Sequence, residues 1–343
     1  MQHDRQRGVA RQRAQGVQGQ SQAATLLPGR CERAHDVIRL ISLCVFVSQY
    51  LDIQPRVIPL GAGRHVMDPA LVAKQLDVNT IGIICVLGTT LTGELDPVEE
   101  IHEVVSAFNK KHGTEVSIHI DAASGGFTVP FTHGDKVVWD FRLEWVKSIN
   151  VSGHKFGLVY AGVGWVLFRE RKDLPADLVF RTCARKTALA RWRGDNALLS
   201  ADTYPLIHFL SFLLCADVNY LGADEPTYGL NFSRSAAPIL LQYYQFLRLG
   251  FTGYGRIQNV CMDNAKRLAE QLQSMHVFEI VSANLKPGAP TIPIVVARFK
   301  PDKEMQRLLG FDETELVRQL QTKGWIIPAY TVSAFALHLR IGS

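Results

Sequence analysis

The sequence predicts an α/β protein in which a mostly parallel sheet is flanked by helices. Residues 80–87 form a continuous apolar run, which is typical of a strand buried on both faces. Residues 116–121 alternate between apolar and polar side chains, which indicates a second strand. Helical patterns at 69–75 and 97–112 precede these two strands. Because strands and helices alternate along the chain, we expect a doubly wound sheet.

The ends of these helices carry their own signals. Asp68-Pro69 and Asp96-Pro97 each place an N-cap aspartate before a proline at the first helical position. The other predicted elements are strands at 56–60, 146–151, 163–169, 278–282, 292–299 and 334–341 and helices at 236–249, 254–275 and 312–323. The mixture of elements near the end of the chain suits a smaller, partial α+β domain.

The composition favours a globular protein and excludes several classes of function. Of 343 residues, 47% are hydrophobic and 20% are charged, and no run reaches the length that spans a membrane. The net charge of +5 is mild and no basic stripe is interleaved with aromatic residues, so we expect no nucleic-acid partner. Six scattered cysteines without a Cys-x-x-Cys pair argue against zinc and against a disulfide framework, and they fit the reducing cytoplasm.

A strand that ends in Ser-Gly-His-Lys supplies a candidate nucleophile. It delivers Lys155 to the carboxyl end of a strand, where open α/β sheets bind their ligands. Gly153 and Gly157 flank the lysine, and we expect them to let the backbone approach a bound group. A partly dehydrated lysine there loses its proton and becomes a nucleophilic amine. The alternative interpretation is an exposed loop lysine.

Asp121 ends the preceding strand and is followed by small residues, which leave room for a flat ring. A carboxylate beneath a flat heterocycle, with a lysine two elements later, is the arrangement that pyridoxal 5′-phosphate (PLP) needs. The lysine forms a Schiff base, and the aspartate keeps the pyridine nitrogen protonated. A helix N-cap and a solvated strand end are the alternatives for Asp121.

Four segments of the chain closely resemble glutamate decarboxylases. They are 119–127 (HIDAASGGF), 139–143 (WDFRL), 151–165 (VSGHKFGLVYAGVGW) and 230–234 (LNFSR). The likeness runs from about Tyr50 to Phe180 and again from about Val218 to Arg340. It implies the PLP-dependent transferase fold of the aspartate-aminotransferase type (type I), within the group II decarboxylases.

The resemblance implies decarboxylation of L-glutamate to 4-aminobutyrate and CO₂, with Lys155 and Asp121 as the catalytic residues. The implied cofactor-binding residues are Lys155, His154, Ser152, Asp121, Ala123, Thr90 and Ser233, and Arg340 is implied near the substrate carboxylate. From the residues alone, Thr90 is equally well explained as part of a Thr-rich turn. Ser233 matches a serine that reaches the phosphate of a neighbouring subunit, so a homodimer or higher homo-oligomer is expected.

The chain also departs from the family. The phosphate loop, the ring-stacking residue and the γ-carboxylate contacts of the family precede the point that matches Tyr50. A phosphate with only part of its donors binds weakly, so we expect little activity from this chain. The alternatives are a truncated, non-catalytic relative, an incorrect gene sequence that lacks the phosphate loop, and a decarboxylase of aromatic amino acids.

The predicted domains follow from the extent of the resemblance. Residues 1–49 are expected to be unrelated and disordered, 50–234 to be a partial PLP-binding domain and 235–343 a partial small domain. A 37-residue stretch at 181–217 is predicted to be an unrelated insert, and a retained intron is our hypothesis for it. No secretory signal is predicted, and a mitochondrial presequence is a weaker alternative.

Three further polar residues invite a metal-site interpretation. His119, His133 and Asp135 are close in sequence, but their spacing matches no usual set of ligands. We expect no metal site and interpret all three as solvated loop residues.

Overall fold

The structure is a computed structural model of the 343-residue chain. Backbone and side chains are described for residues 53–61, 63–174, 234–300 and 310–327, and the backbone alone for 24–27, 35–36, 180–181, 226–227, 329–333 and 336–341. The chain divides into two compact units. One unit comprises Met1–Arg169 and Ala236–Ser343, and the other comprises Glu170–Ser235.

A six-stranded sheet forms the centre of the first unit. In chain order the strands of its first part are β1 (Ala24–Leu27), β2 (His35–Asp36), β3 (Ile53–Gln54), β4 (Arg56–Ile58), β5 (Gly82–Val86), β6 (Ser117–Asp121), β7 (Val146–Ser152) and β8 (Gly164–Phe168). The order across the sheet is β4-β1-β5-β6-β7-β8, while β2 and β3 form a separate parallel pair. The three central strands β5, β6 and β7 are parallel, and the outer pairs are antiparallel. The predicted α/β class is confirmed, with its parallel strands in the middle of the sheet.

The register of the parallel strands brings their carboxyl ends to one edge. Val86 pairs with Asp121, and Asp121 pairs with Asn150. Ile118 and Ile120 are fully buried in the core, so the residues that alternate with them in β6 lie on the other face. Asp121 therefore ends β6 on a polar face of the sheet, level with Val86 at the end of β5 and with Asn150 near the end of β7.

Two helices pack against each other beside this sheet: α1 (Pro69–Gln75) and α2 (Val98–His112). Asp68 caps α1 as predicted, because its Oδ1 accepts a hydrogen bond of 2.9 Å from the backbone N–H of Ala70. The fully buried Ile101 and Val105 of α2 belong to the same core as Ile83 of β5. This apolar stripe, three to four residues apart, holds α2 against the sheet.

The predicted N-cap role of Asp96 is wrong. Pro97 is the N-cap residue of α2, and no side chain caps that end. The carboxylate of Asp96 is buried and accepts hydrogen bonds from the backbone N–H groups of Met67, at 2.8 Å, and Val86, at 2.7 Å. Asp96 thus ties the end of β5 to the segment that precedes α1, a long-range role that the local Asp-Pro signal does not reveal.

The second half of the first unit contains a long bent helix and a small antiparallel sheet. Its elements are α4 (Ala237–Ser274), β11 (Phe278–Ile280), β12 (Val295–Phe299), α5 (Glu313–Thr322), β13 (Ala329–Ser333) and β14 (Ala336–Ile341), and the sheet order is β11-β12-β14-β13. A one-turn helix, α3 (Val129–Thr132), lies earlier in the chain, between β6 and β7. Two helices were predicted where α4 lies, and α4 bends between them at Gly250, whose φ of 59° is not helical. Glycine tolerates this left-handed backbone because it has no Cβ.

The N-terminal region differs from the expectation of disorder at its described residues. The backbone of β1 pairs antiparallel with both β4 and β5. A short apolar run such as Ala-Thr-Leu-Leu satisfies the backbone groups of β5 that would otherwise form an open edge. The rest of residues 1–49 lies outside the described residues.

The second unit has few described residues. A short 3₁₀ helix spans Arg171–Asp173, and β9 (Phe180–Arg181) pairs antiparallel with β10 (Pro226–Thr227). Apart from Arg181, the predicted insert at 181–217 lies outside the described residues. The interpretation of this stretch as an unrelated insert stays a prediction, as do the predicted domain boundaries.

Candidate active site

Asp121 lies at the carboxyl edge of the sheet with its carboxylate held from two sides. Its Oδ1 accepts hydrogen bonds from the backbone N–H of Ala123, at 3.1 Å, and from the side-chain amide of Asn150, at 3.0 Å. Both donors reach the same oxygen. Neither predicted alternative, a helix N-cap nor a solvated strand end, describes this arrangement.

The small residues after Asp121 form a tight turn against the end of β5. The backbone N–H of Gly125 donates to the carbonyl of Leu87 at 2.8 Å, and a Cβ at Gly125 would lie 2.3 Å from that oxygen. The backbone N–H of Leu87 in turn donates to the carbonyl of Asp121 at 2.9 Å. These bonds fix the segment that carries Asp121, Ala123 and Ser124, so glycine at 125 is required by close backbone approach.

Lys155 meets this segment through Ser124. The Nζ of Lys155 donates to the Oγ of Ser124 at 3.1 Å, and Ser124 is almost completely buried. Lys155 itself is partly buried, so the interpretation as a freely exposed loop lysine does not hold. The structure therefore brings the two predicted catalytic residues, Lys155 and Asp121, to one edge of the sheet. Ser124 was not predicted, although it lies inside the quoted 119–127 motif.

The residues around Lys155 form what we call the lysine turn, Ser152–Leu158. A Cβ at Gly157 would lie 2.5 Å from the carbonyl oxygen of Gly153 and 2.9 Å from its Cα. A Cβ at Gly153 would lie 2.6 Å from the Oε1 of Gln242. The two glycines are therefore needed for close packing within this chain, which differs from the expected role of making room for a bound group.

Buried polar side chains of α4 hold the lysine turn from outside. The Nε2 of Gln242 and the hydroxyl of Tyr254 each donate to the carbonyl of Gly157 at 3.0 Å. The Nε2 of Gln258 donates to the carbonyl of Phe156 at 3.0 Å. These side chains are buried, so each bond satisfies a backbone carbonyl that water does not reach. Sequence patterns gave no signal for them, because a glutamine inside a helix is usually a surface residue.

Thr90 lies in a turn at the end of β5 and its side chain is exposed. The hydroxyls of its neighbours Thr89 and Thr92 lie 3.0 Å apart, and Thr92 donates to Glu94 at 2.8 Å. Glu94 also accepts hydrogen bonds from His65, at 3.2 Å, and from Lys286, at 3.1 Å. The predicted Thr-rich turn is therefore present, and its other threonines form a network that leaves Thr90 at the surface.

The charge of Glu94 is stabilised by this network. Burial alone would raise its pKa, but hydrogen bonds from His65, Thr92 and Lys286 outweigh that effect and lower the pKa to about 2. Glu94 is therefore ionised at neutral pH. Through its bond with Lys286, the carboxylate holds the turn that carries Thr90 against segment 286–292. The carbonyl of Gly93, in the same turn, accepts hydrogen bonds from the backbone N–H of Ile292 and the hydroxyl of Thr291.

The remaining predicted site residues differ in how far the structure places them. Ser152 ends β7 and is partly buried, His154 is exposed in the lysine turn, and Ala123 is partly buried after Asp121. Arg340 lies in β14, opposite Val296, with its backbone alone described. Ser233 lies outside the described residues. Whether these five residues contact a cofactor or substrate stays a prediction.

The interpretation of His119 as a solvated loop residue is wrong, whereas His133 lies in a turn and is half-buried. His119 lies in β6, with its Nδ1 2.7 Å from the Oγ of Ser148 and its Nε2 2.7 Å from the Oδ1 of Asn150. The Nε2 of His133 lies 2.8 Å from the carbonyl of Thr291. Across the described part of the chain, no group of three or more His, Cys, Asp and Glu side chains is arranged to hold a metal ion.

The residues at the sheet edge fit PLP in their chemistry. The cofactor requires an amine for its aldehyde and a carboxylate for its ring nitrogen, and Lys155 and Asp121 supply these two groups. Ser124 joins them, through its bond to Lys155 and its place three residues after Asp121. Beyond Asp121 the side chain of the partly buried Ala123 ends at Cβ, which suits a planar ring, whereas Ala122 is buried in the core.

Comparison with known proteins gives an independent view of the chain. Residues 42–184 and 201–300 match the family model for the pyridoxal-dependent decarboxylase conserved domain. These ranges cover more than half of the chain and include β5, β6, β7 and the lysine turn. They leave out residues 185–200, which lie inside the stretch predicted as an insert.

Several relatives with known activities are similar over most of this chain. Glutamate decarboxylase 5 of Arabidopsis thaliana is 41% identical over 294 residues, which are 86% of this chain and 50% of the relative. A glutamate decarboxylase of Solanum lycopersicum is 40% identical over 86% of this chain and 49% of its own length. The chain thus spans about half the length of the curated relatives it matches.

A solved structure is similar in the same way. The glutamate decarboxylase of Lactobacillus brevis superposes with a TM-score of 0.71 at 32% sequence identity, covering 88% of this chain and 59% of the other. The shared fold is the predicted PLP-dependent transferase fold.

Proposed function

Because the chain belongs to the pyridoxal-dependent decarboxylase family, we propose that it decarboxylates L-glutamate to 4-aminobutyrate and CO₂ with PLP bound at Lys155. The observation that carries the proposal is the joining of Lys155 to the Asp121 segment through Ser124, at the edge where parallel strands end. The 36–41% identity to glutamate decarboxylases of Arabidopsis thaliana supports the choice of substrate.

When bound, PLP supplies an electron sink for the carbanion that forms as CO₂ leaves. Lys155 would supply the amine that holds the cofactor through its aldehyde. Ser124 orients that amine through its hydroxyl. Asp121 keeps a proton on the ring nitrogen, because an anionic carboxylate beside that atom favours its protonated form.

The polar groups around this pair take supporting roles in the proposal. Ala123 would leave space for the ring. The hydroxyl of Thr90, in the turn after β5, and the hydroxyl of Ser152 and the imidazole of His154, in the lysine turn, would serve as donors to the phosphate or the ring. We assign Arg340 to the substrate carboxylate and Ser233 to the phosphate of a neighbouring subunit. These last two assignments depend on the sequence resemblance.

We include a homodimer in the proposal. Several apolar side chains on the first part of α4 are more than half exposed, among them Leu240, Tyr243, Leu247 and Phe251. An exposed apolar face of this kind is typical of a subunit interface. A second copy of the chain fits because the predicted role of Ser233 requires one. Light scattering is expected to give twice the mass of one chain, and Leu247→Lys should shift it toward one chain.

A cytoplasmic location completes the proposal. Its support is the pattern of scattered cysteines, of which Cys85 and Cys261 are free in the described residues. As a separate finding, none of the helices within the described ranges is both long enough and apolar enough to cross a bilayer.

The activity is tested by release of labelled CO₂ from L-[1-¹⁴C]glutamate with excess PLP. Lys155→Ala should abolish release, because no other lysine lies at the Asp121 edge among the described residues. Lys147→Ala is the matched control, since Lys147 lies on β7, the strand that leads into the lysine turn, and its Nζ lies 5.4 Å from the ring centroid of Trp145. It should retain release.

Two outcomes of this experiment would contradict parts of the proposal. Weak release by the wild type would agree with the low activity expected from the sequence, whereas a wild-type chain that releases no more CO₂ than Lys155→Ala would contradict the proposed activity. Release from aromatic amino acids in preference to glutamate would contradict the proposed substrate while leaving the role of Lys155 intact.

A further inference from the structure

Four polar side chains lie together on one face of β6 and β7, and we call them the Asp121 face: His119, Asp121, Ser148 and Asn150. The strand register pairs His119 with Ser148 and Asp121 with Asn150. Residues two apart on a strand share a face, so the register alone places all four side chains together. They form a hydrogen-bonded chain with contacts of 2.7, 2.7 and 3.0 Å.

The direction of these hydrogen bonds follows from the chemistry of the groups. An ionised carboxylate only accepts, so the amide nitrogen of Asn150 must face Asp121 and its Oδ1 must face His119. The Nε2 of His119 therefore carries a proton and donates it. In the neutral ring Nδ1 has no proton, so it accepts from the hydroxyl of Ser148.

The surroundings keep the ring of His119 neutral. Burial lowers the pKa of His119, although the hydrogen bond with Asn150 and the charge of Asp121 act in the opposite direction. The chain of donors then runs one way, from Ser148 through His119 and Asn150 to Asp121. Hydrogen bonds in such a chain polarise one another, so each strengthens the next.

We propose that His119, Asn150 and Ser148 are positioning residues that fix and polarise the carboxylate of Asp121 for its work at the ring nitrogen. The inference rests on the proposed role of Asp121. Two donors occupy Oδ1, and none from the described part of the chain reaches Oδ2, so Oδ2 is the oxygen that meets the cofactor. The backbone N–H of Ala123 alone would leave the carboxyl group free to turn about its Cβ–Cγ bond.

The first test needs no cofactor and uses the whole chain with ¹⁵N-labelled histidine. The NMR resonance that disappears in His119→Gln belongs to His119. We expect a neutral ring protonated on Nε2 at neutral pH, and a changed tautomer balance in Asn150→Leu. A proton on Nδ1 in place of Nε2, or no response to Asn150→Leu, would overturn the proposal.

The second test separates positioning from a merely structural role. His119→Phe removes both ring nitrogens, whereas His119→Gln keeps an amide donor near the position of Nε2. Removing the donor to Asn150, which in turn donates to the charged Asp121, should lower kcat about ten- to a hundredfold with little change in KM. His119→Gln should restore a large part of kcat. Equal loss in both variants would contradict positioning through the donor.

A control lies on the same face of β6. Ser117→Ala removes a hydroxyl that lies 3.4 Å from the carbonyl of Ile81 and contacts none of the four residues. It should leave both the His119 resonance and kcat unchanged. Failure of the wild-type protein to bind PLP would contradict the proposed function alone, because the NMR experiment tests the hydrogen bonds of the Asp121 face without the cofactor.

Discussion

The two halves of the candidate site are held in place by different means. Asp121 is oriented by side chains of its own and the neighbouring strand, within about thirty residues of sequence. Lys155 sits in a turn whose backbone carbonyls are bound by Gln242, Tyr254 and Gln258, which lie 85 to 102 residues beyond the carbonyls that they bind. The carboxylate is therefore positioned by neighbours within the sheet, whereas Lys155 is positioned by hydrogen bonds from α4 to the lysine turn.

This difference separates the effects that substitutions should have. Changes on the Asp121 face alter the orientation of one carboxylate while the sheet and its core remain. Changes in the contacts between α4 and the lysine turn leave buried carbonyls unsatisfied, so they affect stability as well as the position of Lys155. The predictions below test this separation in order of decreasing expected effect.

The largest effect is expected on the Asp121 side. Asp121→Asn keeps the shape of the side chain but removes its charge, so turnover should fall by orders of magnitude with little change in the melting temperature. Asp135→Asn is the matched control, because Asp135 is fully exposed and pairs only with Arg142 at the surface. Steady-state CO₂ release measures both. Near-normal turnover of Asp121→Asn would remove Asp121 from the mechanism.

On the lysine side, Gly157→Ala should both destabilise the protein and weaken PLP binding. The added Cβ would meet backbone atoms of Gly153 at 2.5 and 2.9 Å, so the lysine turn must shift. We expect a loss on the order of 2 kcal/mol or more in the free energy of unfolding. Gly255→Ala is the control, because nothing lies within 4 Å of its Cβ and it is helical.

Urea unfolding and PLP titration measure the two consequences. Gly255→Ala is expected to be neutral or to stabilise by up to about 1 kcal/mol, since alanine favours the helix. If Gly157→Ala matched it in both measurements, the tight packing of the lysine turn would not matter for the site.

A smaller effect is expected from Gln258→Leu. This change leaves the carbonyl of Phe156 without its donor and the hydroxyl of Thr128 without its acceptor. Both groups are buried, so we expect a cost of about 1–3 kcal/mol in urea unfolding. Gln273→Leu, at an exposed position of the same helix, should cost almost nothing. A comparable loss in the two variants would argue against the role of α4.

The last effect is a pH dependence away from both halves of the site. Burial raises the pKa of Asp96 from 3.8 to about 6, although hydrogen bonds from Met67 and Val86 lower it. Between these values the folded state holds a proton that the unfolded chain has lost. This contribution to stability is therefore full below about pH 3.8 and is lost as pH rises through about 6.

Asp96→Asn does not titrate, so its free energy of unfolding should decline less between about pH 4 and pH 6 than that of the wild type. Over this interval the two declines in the free energy of unfolding should differ by at most about 3 kcal/mol. Urea unfolding at a series of pH values measures it. Parallel pH profiles for the two proteins would show that Asp96 is not a buried acid of raised pKa.

The sequence predicted the parts of the fold that depend on local patterns. The apolar run in β5, the alternation in β6 and the proline-opened helix α1 were all found close to their expected positions. Lys155 and Asp121 were predicted at the carboxyl ends of strands, and both lie at the same edge of the sheet, where Ser124 bonds Lys155 three residues after Asp121. The two predicted helices were also found in α4, with the break between them near the glycine that permits it.

Long-range polar contacts could not be predicted in the same way. Asp96 has the local appearance of an N-cap, but its carboxylate oxygens accept hydrogen bonds from the backbone N–H groups of Met67 and Val86, which are distant in sequence. His119 lies within the predicted strand 116–121, but its partners, Ser148 and Asn150, lie on another strand, so only the register of the two strands reveals its hydrogen bonds. Gln242 and Gln258 carry no pattern at all, since their role depends on where α4 packs.

The central claim is that Lys155 is the lysine that holds PLP, and chemical capture tests it most directly. The whole chain is loaded with PLP, reduced with borohydride and digested, and the peptides are mapped by mass spectrometry. The account predicts that the label lies on Lys155 and is lost in Lys155→Arg but not in Lys147→Arg. A label on any other lysine, or equal labelling of the wild type and Lys155→Arg, would contradict it.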